Sequence, residues 1–261
     1  MNRAIRFALI LTLFAAAEAR SGEFEELERF AAAESHQGVA VDAEHVYAIA
    51  NNSIGKYRKA DGQFVARWEA SAERPLIHLN SGVVVDGRIY CAHSNYPAVP
   101  MTSSIEIWDA TTLEHAGSHS FGITEGSLTW IDRHGDEWWA VFAHYSKRPG
   151  DLGTEWTRLV RFGKDWQRRE SWVFPEEVVE RFRPSSNSGG SFGPDGLLYC
   201  TGHDRPEVYA LRLPQAGSTL QLVETVPIAN TGQGIAWDRS QSGVLYGIHR
   251  KNKQVVVSKF K

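Results

Sequence analysis

One phrase occurs five times along this chain, and nothing else in the sequence restricts the fold as strongly. It consists of a small or polar residue, a glycine, an apolar run, an Asp or Gly turn and a second apolar run carrying aromatics. The copies lead with Gly38, Gly82, Gly126, Gly190 and Gly234, at spacings of 44, 44, 64 and 44 residues, and the fourth copy can slip by one. A period in the forties is that of a propeller blade. Each copy reads as a β-hairpin, because alternating apolar runs flank turns such as Val85-Asp86-Gly87 and Pro194-Asp195-Gly196. A third run follows each hairpin, as in Ile105 to Trp108, Leu159 to Phe162 and Val208 to Leu211. A weaker fourth run, such as Gln63 to Trp68, ends most units. Four strands per unit and five units predict an all-β, five-bladed β-propeller.

The ends of the chain test this expectation. The fifth unit stops after its third run, at Val255 to Phe260, while an orphan run, Phe24 to Phe30, precedes the first hairpin. The orphan is predicted to complete the last blade, closing the ring and removing an open edge. Residues 1–19 read as a signal peptide, with Arg3 and Arg6, an apolar run from Phe7 to Ala17 and a small-residue site at Ala17-Glu18-Ala19. Residues 20–261 are then a single domain, secreted or periplasmic, with no membrane span after cleavage. Cys91 and Cys200 follow a Tyr in equivalent motifs of non-adjacent repeats, too far apart to bond, and are expected as buried thiols.

Composition bears on partners. A net charge of -3 and a pI near 6.4 offer no basic stripe, so nucleic acid is excluded as an expected partner. With 42% hydrophobic residues, including 9 Trp, one core is readily supplied, and a monomer acting on a small-molecule substrate is expected.

Six of the ten histidines fall where first strands start or second strands end, which in a propeller is one face. His36 and His78 precede first strands; His93, His144, His203 and His249 end second strands. Imidazole is the commonest ligand for Zn, Cu and Fe. His78, His93, His144, His203 and His249 are therefore candidate ligands for a divalent metal ion (Zn, Mn, Fe, Cu or Ca), with Glu125 and His36 as candidate catalytic residues. Gln37, Asn80, Tyr96, Tyr145 and Gln233 are candidates for substrate binding. Long loops at Ser94 to Ser103, Ser146 to Thr157 and Ser171 to Ser188 open on the same face, the last holding a short helix near Phe174 to Phe182. Asp109, Asp132 and Asp238 are expected to serve turns.

The phrases His36-Gln37-Gly38-Val39 and Gly234-Ile235-Ala236-Trp237-Asp238 resemble blade motifs of the plant-type and bacterial glutamine cyclotransferases. Glu125-Gly126-Ser127-Leu128-Thr129 is similar to the segment carrying that family's proposed catalytic acid. The resemblance implies a secreted five-bladed propeller. The sequence departs from it by its histidines and by placing Glu125 in the third blade rather than the second. The leading expectation is thus a metal-dependent hydrolase or lyase acting on a small polar molecule such as a sugar derivative or lactone. The alternatives are a non-catalytic propeller that binds a ligand or protein, and a metal-free cyclotransferase-like acyltransferase using Glu125.

Overall fold

The computed structural model describes residues 22–123 and 125–261, so the signal-peptide segment lies outside the described residues. Five four-stranded antiparallel sheets follow one another around an axis. Blade one contains β2 (Gly38–Val41), β3 (His45–Ile49), β4 (Ser53–Arg58) and β5 (Phe64–Glu69). Blade two contains β6 (Leu79–Val85), β7 (Arg88–Ser94), β8 (Ser103–Asp109) and β9 (His115–Gly122). Blade three contains β10 (Ser127–His134), β11 (Glu137–Ala143), β12 (Arg158–Phe162) and β13 (Arg168–Val173). Blade four contains β14 (Gly189–Phe192), β15 (Leu198–Thr201), β16 (Glu207–Arg212) and β17 (Gln221–Pro227).

Blade five is assembled from both ends of the chain. Its inner strands β18 (Ala236–Trp237), β19 (Val244–His249) and β20 (Gln254–Phe260) are joined by β1 (Phe24–Ala31), which pairs antiparallel with β20 from Phe24↔Phe260 to Ala31↔Gln254. The propeller and its closure therefore follow the sequence expectation. Asp86 and Gly87, both at positive φ (49° and 72°), make the tight β6–β7 turn that the Asp-Gly pair announced.

The core is divided among the gaps between neighbouring blades, because every blade is buried on both faces. Tyr47, Ile54, Leu79, Ile89 and Trp108 fill the gap between blades one and two; Ala92, Ile105, Leu128 and Phe142 fill the next. The largest cluster lies between blades three and four, where α1 (Glu176–Phe182) adds Val178, Val179 and Phe182 to Trp130, Trp139, Trp172 and Tyr209. The 64-residue spacing is thus a packing insertion, with Pro175 capping the helix. β13 extends to Val173, so the loop expected from Ser171 begins at Phe174, three residues later. Cys91 and Cys200 are free and buried.

The axis is closed by backbone. A Cβ on Gly234 would lie 2.6 Å from Ser81 Cβ and 2.7 Å from Gly38 Cα, and one on Gly189 would lie 2.8 Å from Gly234 Cα. The residues meeting at the axis are Gly38, Ser81, Gly189 and Gly234. Ser81 and Gly189 therefore take the places assigned to Gly82 and Gly190, one residue away. Beyond this seal lies an axial cavity of about 250 Å³ lined from all five inner strands, including Val41, Val84, Ile131, Ser191 and Trp237. Asp132 there is buried in β10, not in a turn; it accepts from Phe192 N (2.8 Å) and pairs with Arg239 (2.6 Å), tying blade three to blades four and five. Asp238 likewise does more than shape a turn, pairing with Lys59 of blade one at 2.5 Å while accepting from Ser240 N. Asp109 is the turn residue expected, accepting from Thr111 N and Thr112 N.

Candidate functional site

The face above the axial seal is where first strands begin and second strands end, and the three long loops gather on it. They are tied together: Arg148 donates to Pro97 O (3.0 Å), Ser146 N to Pro184 O (3.2 Å) and Thr154 Oγ1 to Ser185 O (2.8 Å). Tyr96 packs against His78 (5.2 Å between ring centroids) and Tyr145 (4.7 Å), forming an aromatic row with Lys147 over both tyrosines. The structure thus brings together Tyr96 and Tyr145, the two aromatic candidates for substrate binding, on this face.

The other three candidate binding side chains are used by the fold. Gln37 Nε2 donates to Asn51 Oδ1 (2.5 Å), Asn80 Nδ2 to Leu128 O (3.0 Å) and Gln233 Nε2 to His203 O (2.7 Å); all three residues are buried. They link blades or strand ends: Asn80 and Gln233 donate to backbone carbonyls, and Gln37 to a side-chain amide oxygen.

The histidines divide into groups. His36 and His203 flank Arg250, which donates from Nη2 to His36 Nε2 (2.9 Å) and from Nη1 to His203 Nε2 (3.2 Å). A guanidinium only donates, so each Nε2 is an unprotonated acceptor. Burial, then Arg250, Lys253 and His203, pull His36 down to about 4. His78 lies beside the second group: Leu79 is the register partner of His93, and His78 O accepts from Ser94 N (3.1 Å). Burial first, then electrostatic interaction with His93, Arg250 and His36 on protonation, lowers His78 to about 4 as well. His144 stands apart, buried, its Nε2 against Glu125 O at 3.2 Å, and burial lowers its pKa. His249 closes the following turn, accepting from Asn252 N (3.3 Å).

Those contacts bear on the expected metal. Among the described residues no three His, Cys, Asp or Glu side chains are grouped as metal ligands. The Nε2 lone pairs of His36 and His203 are already engaged by a permanent cation, which repels a second one. The donor set of His78, His93, His144, His203 and His249 thus does not fit a single divalent ion. The physical reason is that second strands end at different lengths, so equivalent repeat positions turn their side chains to different neighbours.

Glu125 is clamped rather than open, with Arg158 Nε 3.4 Å from Oε2 and Arg168 Nη1 3.4 Å from Oε1. Gly126 beside it has φ 117°, and a Cβ there would lie 2.7 Å from His144 Nε2, so the glycine permits this approach.

One constellation was not anticipated. His93 Nδ1 lies 3.0 Å from Ser104 Oγ, and that hydroxyl donates to Glu106 Oε1 at 2.7 Å. Glu106 is buried and also accepts from Ser118 Oγ (2.8 Å) and faces His115 Nε2 (2.8 Å). Because the hydroxyl's one proton goes to the carboxylate, its lone pairs receive the proton on His93 Nδ1. His93 is then the tautomer with a bare Nε2, an atom that is buried and without a hydrogen-bond partner among the described residues. Burial lowers its pKa, with Glu106 acting in the opposite sense. The signal was present in the sequence: Ser104 and Glu106 alternate on the face of β8 that also carries Trp108, an odd place for a carboxylate unless it has donors.

No protein-family model matches the chain, and no curated protein matches it by sequence. By structure it is similar to the glutaminyl cyclase of Myxococcus xanthus, with a TM-score of 0.62 at 11% identity over 92% of this chain and 97% of that one. It is also similar to the aldose sugar dehydrogenase of Streptomyces coelicolor in its PQQ-bound form (TM-score 0.55, 10% identity, 94% and 100% covered). A luciferin-regenerating enzyme gives a TM-score of 0.53 at 10% identity, with 92% and 95% covered. At these identities the likeness establishes the fold. The resemblance to cyclotransferase blades read from the sequence holds at that level.

Proposed function

We propose that the protein is an exported enzyme performing metal-free proton-transfer chemistry, hydrolysis or elimination, on a small polar molecule at the face above the axial seal. His93 Nε2 is the proton acceptor, and Ser104 and Glu106 position it. The observation that carries this reading is the His93–Ser104–Glu106 chain, which fixes one tautomer of a buried imidazole and leaves its basic nitrogen unengaged. Export is supported by the basic start and apolar run of residues 1–19.

The mechanism follows from the arrangement. The step requires the buried His93 Nε2 to be uncovered, so that substrate lying against the Tyr96–Tyr145 row brings an acidic C–H or an attacking water to it. The imidazole takes the proton, and the resulting imidazolium is stabilised through Ser104 by the negative charge of Glu106. The proton then passes to the leaving oxygen, restoring the neutral imidazole. Burial holds His93 below its ordinary pKa, which favours the unprotonated form at neutral pH.

The test is a substrate panel of lactones, aryl esters and N-terminal glutaminyl peptides, assayed with the wild type, His93→Gln and Glu125→Gln. The expected result is turnover of a lactone or ester that falls about 10²–10⁴-fold in His93→Gln and only a few-fold in Glu125→Gln. Cyclisation of the glutaminyl peptide that is lost only in Glu125→Gln would replace this reading with the cyclotransferase-like one.

A further inference from the structure

Arg250 is a half-buried cation without an acidic partner. Arg158, Arg161, Arg181 and Arg239 each face a carboxylate. Arg250 has none within ion-pair distance among the described residues, and its two hydrogen-bond partners are the Nε2 atoms of His36 and His203. Burial without a counter-ion pulls its pKa below the ordinary arginine value, with the charge of Asp204 opposing. The two imidazoles hold the guanidinium plane from either end. His203 is itself oriented by Asp204, whose Oδ1 lies 2.6 Å from Nδ1. Two of the five guanidinium N–H groups are used in this way, leaving a rigidly held fork with donors to spare.

The surroundings have the same sign. A cavity of about 470 Å³ is lined by His36, His203, Arg250, Lys251, Lys253 and Asp204, together with Thr231 and Gln233. Its permanent charges are three cations against one carboxylate, and that carboxylate is committed to His203. The volume is that of a small-molecule site rather than of a lone ion.

We infer that this cavity binds the oxyanion group, carboxylate or phosphate, of a small molecule, with Arg250 as its anchor. The anion takes the bidentate place opposite the two imidazoles, and Lys253 completes its neutralisation. The site lies on the face proposed for catalysis and draws its lining from the ends of blades one, four and five, whereas Ser104 and Glu106 belong to blade two. It therefore narrows the substrate of that reaction to an anionic one, and it rests on that reading only for the link to chemistry.

Anion binding is read directly by calorimetric titration of the mature protein with inorganic phosphate and, separately, with succinate. The expected result is saturable one-site binding of at least one of them, weakened about tenfold or more by Arg250→Gln, since a charge-assisted bidentate pair is lost. Lys253→Met weakens it by less, and Lys164→Gln, on a distant turn, leaves it unchanged. Phosphate bound over succinate assigns a phosphate ester; the reverse assigns a carboxylate. Failure of both anions to saturate, or equal affinity in a folded Arg250→Gln or Lys253→Met protein, overturns the inference. Loss of anion binding with His93-dependent turnover intact would fault this site alone, and the converse would fault the proposed chemistry alone.

Discussion

At the scale of the residue, position in the blade decides what each polar side chain does. Histidines at repeat-equivalent places have different fates because their register partners differ: Ser104 faces His93, whereas Gln254 faces His249. His36 and His78 are kept neutral by burial and by neighbouring cationic charge. Their folded-state values lie near 4, below the ordinary value of 6.5, so the unfolded chain takes up their protons first as pH falls. The stability they contribute is then complete above about pH 6.5 and is lost progressively toward about pH 4. Melting temperatures across that range are expected to decline with acid, and to decline less in a His78→Gln variant. An equal decline in the variant would mean that His78 is not buried neutral.

At the scale of the element, the strand that matters most is β1, since it alone holds the two ends of the chain in one sheet. Phe24 enters an aromatic cluster with Tyr199, Trp237 and Phe260, at centroid distances of 6.4, 5.9 and 4.9 Å. Phe24→Ala is expected to cost about 2–3 kcal/mol by chemical denaturation, less than the roughly 3–5 kcal/mol of a fully buried Phe. Deleting residues 22–31 is expected to expose the β20 edge and leave the protein aggregated, which light scattering would detect. A soluble, cooperatively folding deletion would contradict the closure. Strands were legible in the sequence because burial on both faces makes apolar runs dense and Asp-Gly or Pro-Asp-Gly turns punctuate them. The exact axial residues were not, because Ser81 does at the axis what Gly38, Gly189 and Gly234 do. A serine beside Gly82 carries no mark of which of the two faces the centre.

At the scale of the whole molecule, a sealed axis and one-sided loops make a shallow cup with an aromatic row, an oriented imidazole and a guanidinium held by two histidines, with no carboxylate partner among the described residues. The clustering of histidines at this end was legible from strand order alone. Their grouping was not, since it depends on Arg250, Ser104 and Glu106. Arg250 directly follows His249, where Ser94, Tyr145 and Asp204 follow the corresponding histidines, and that contrast was the available clue. The chemistry proposed for the cup requires a His93 that is neutral at working pH and carries its proton on Nδ1. A proton–nitrogen correlation spectrum of the imidazole rings, recorded near neutral pH on wild type and His93→Gln to assign the resonance, reads both properties at once. The account predicts a neutral His93 protonated on Nδ1, with the signature altered in Ser104→Ala; a cationic His93, or one protonated on Nε2, would contradict it.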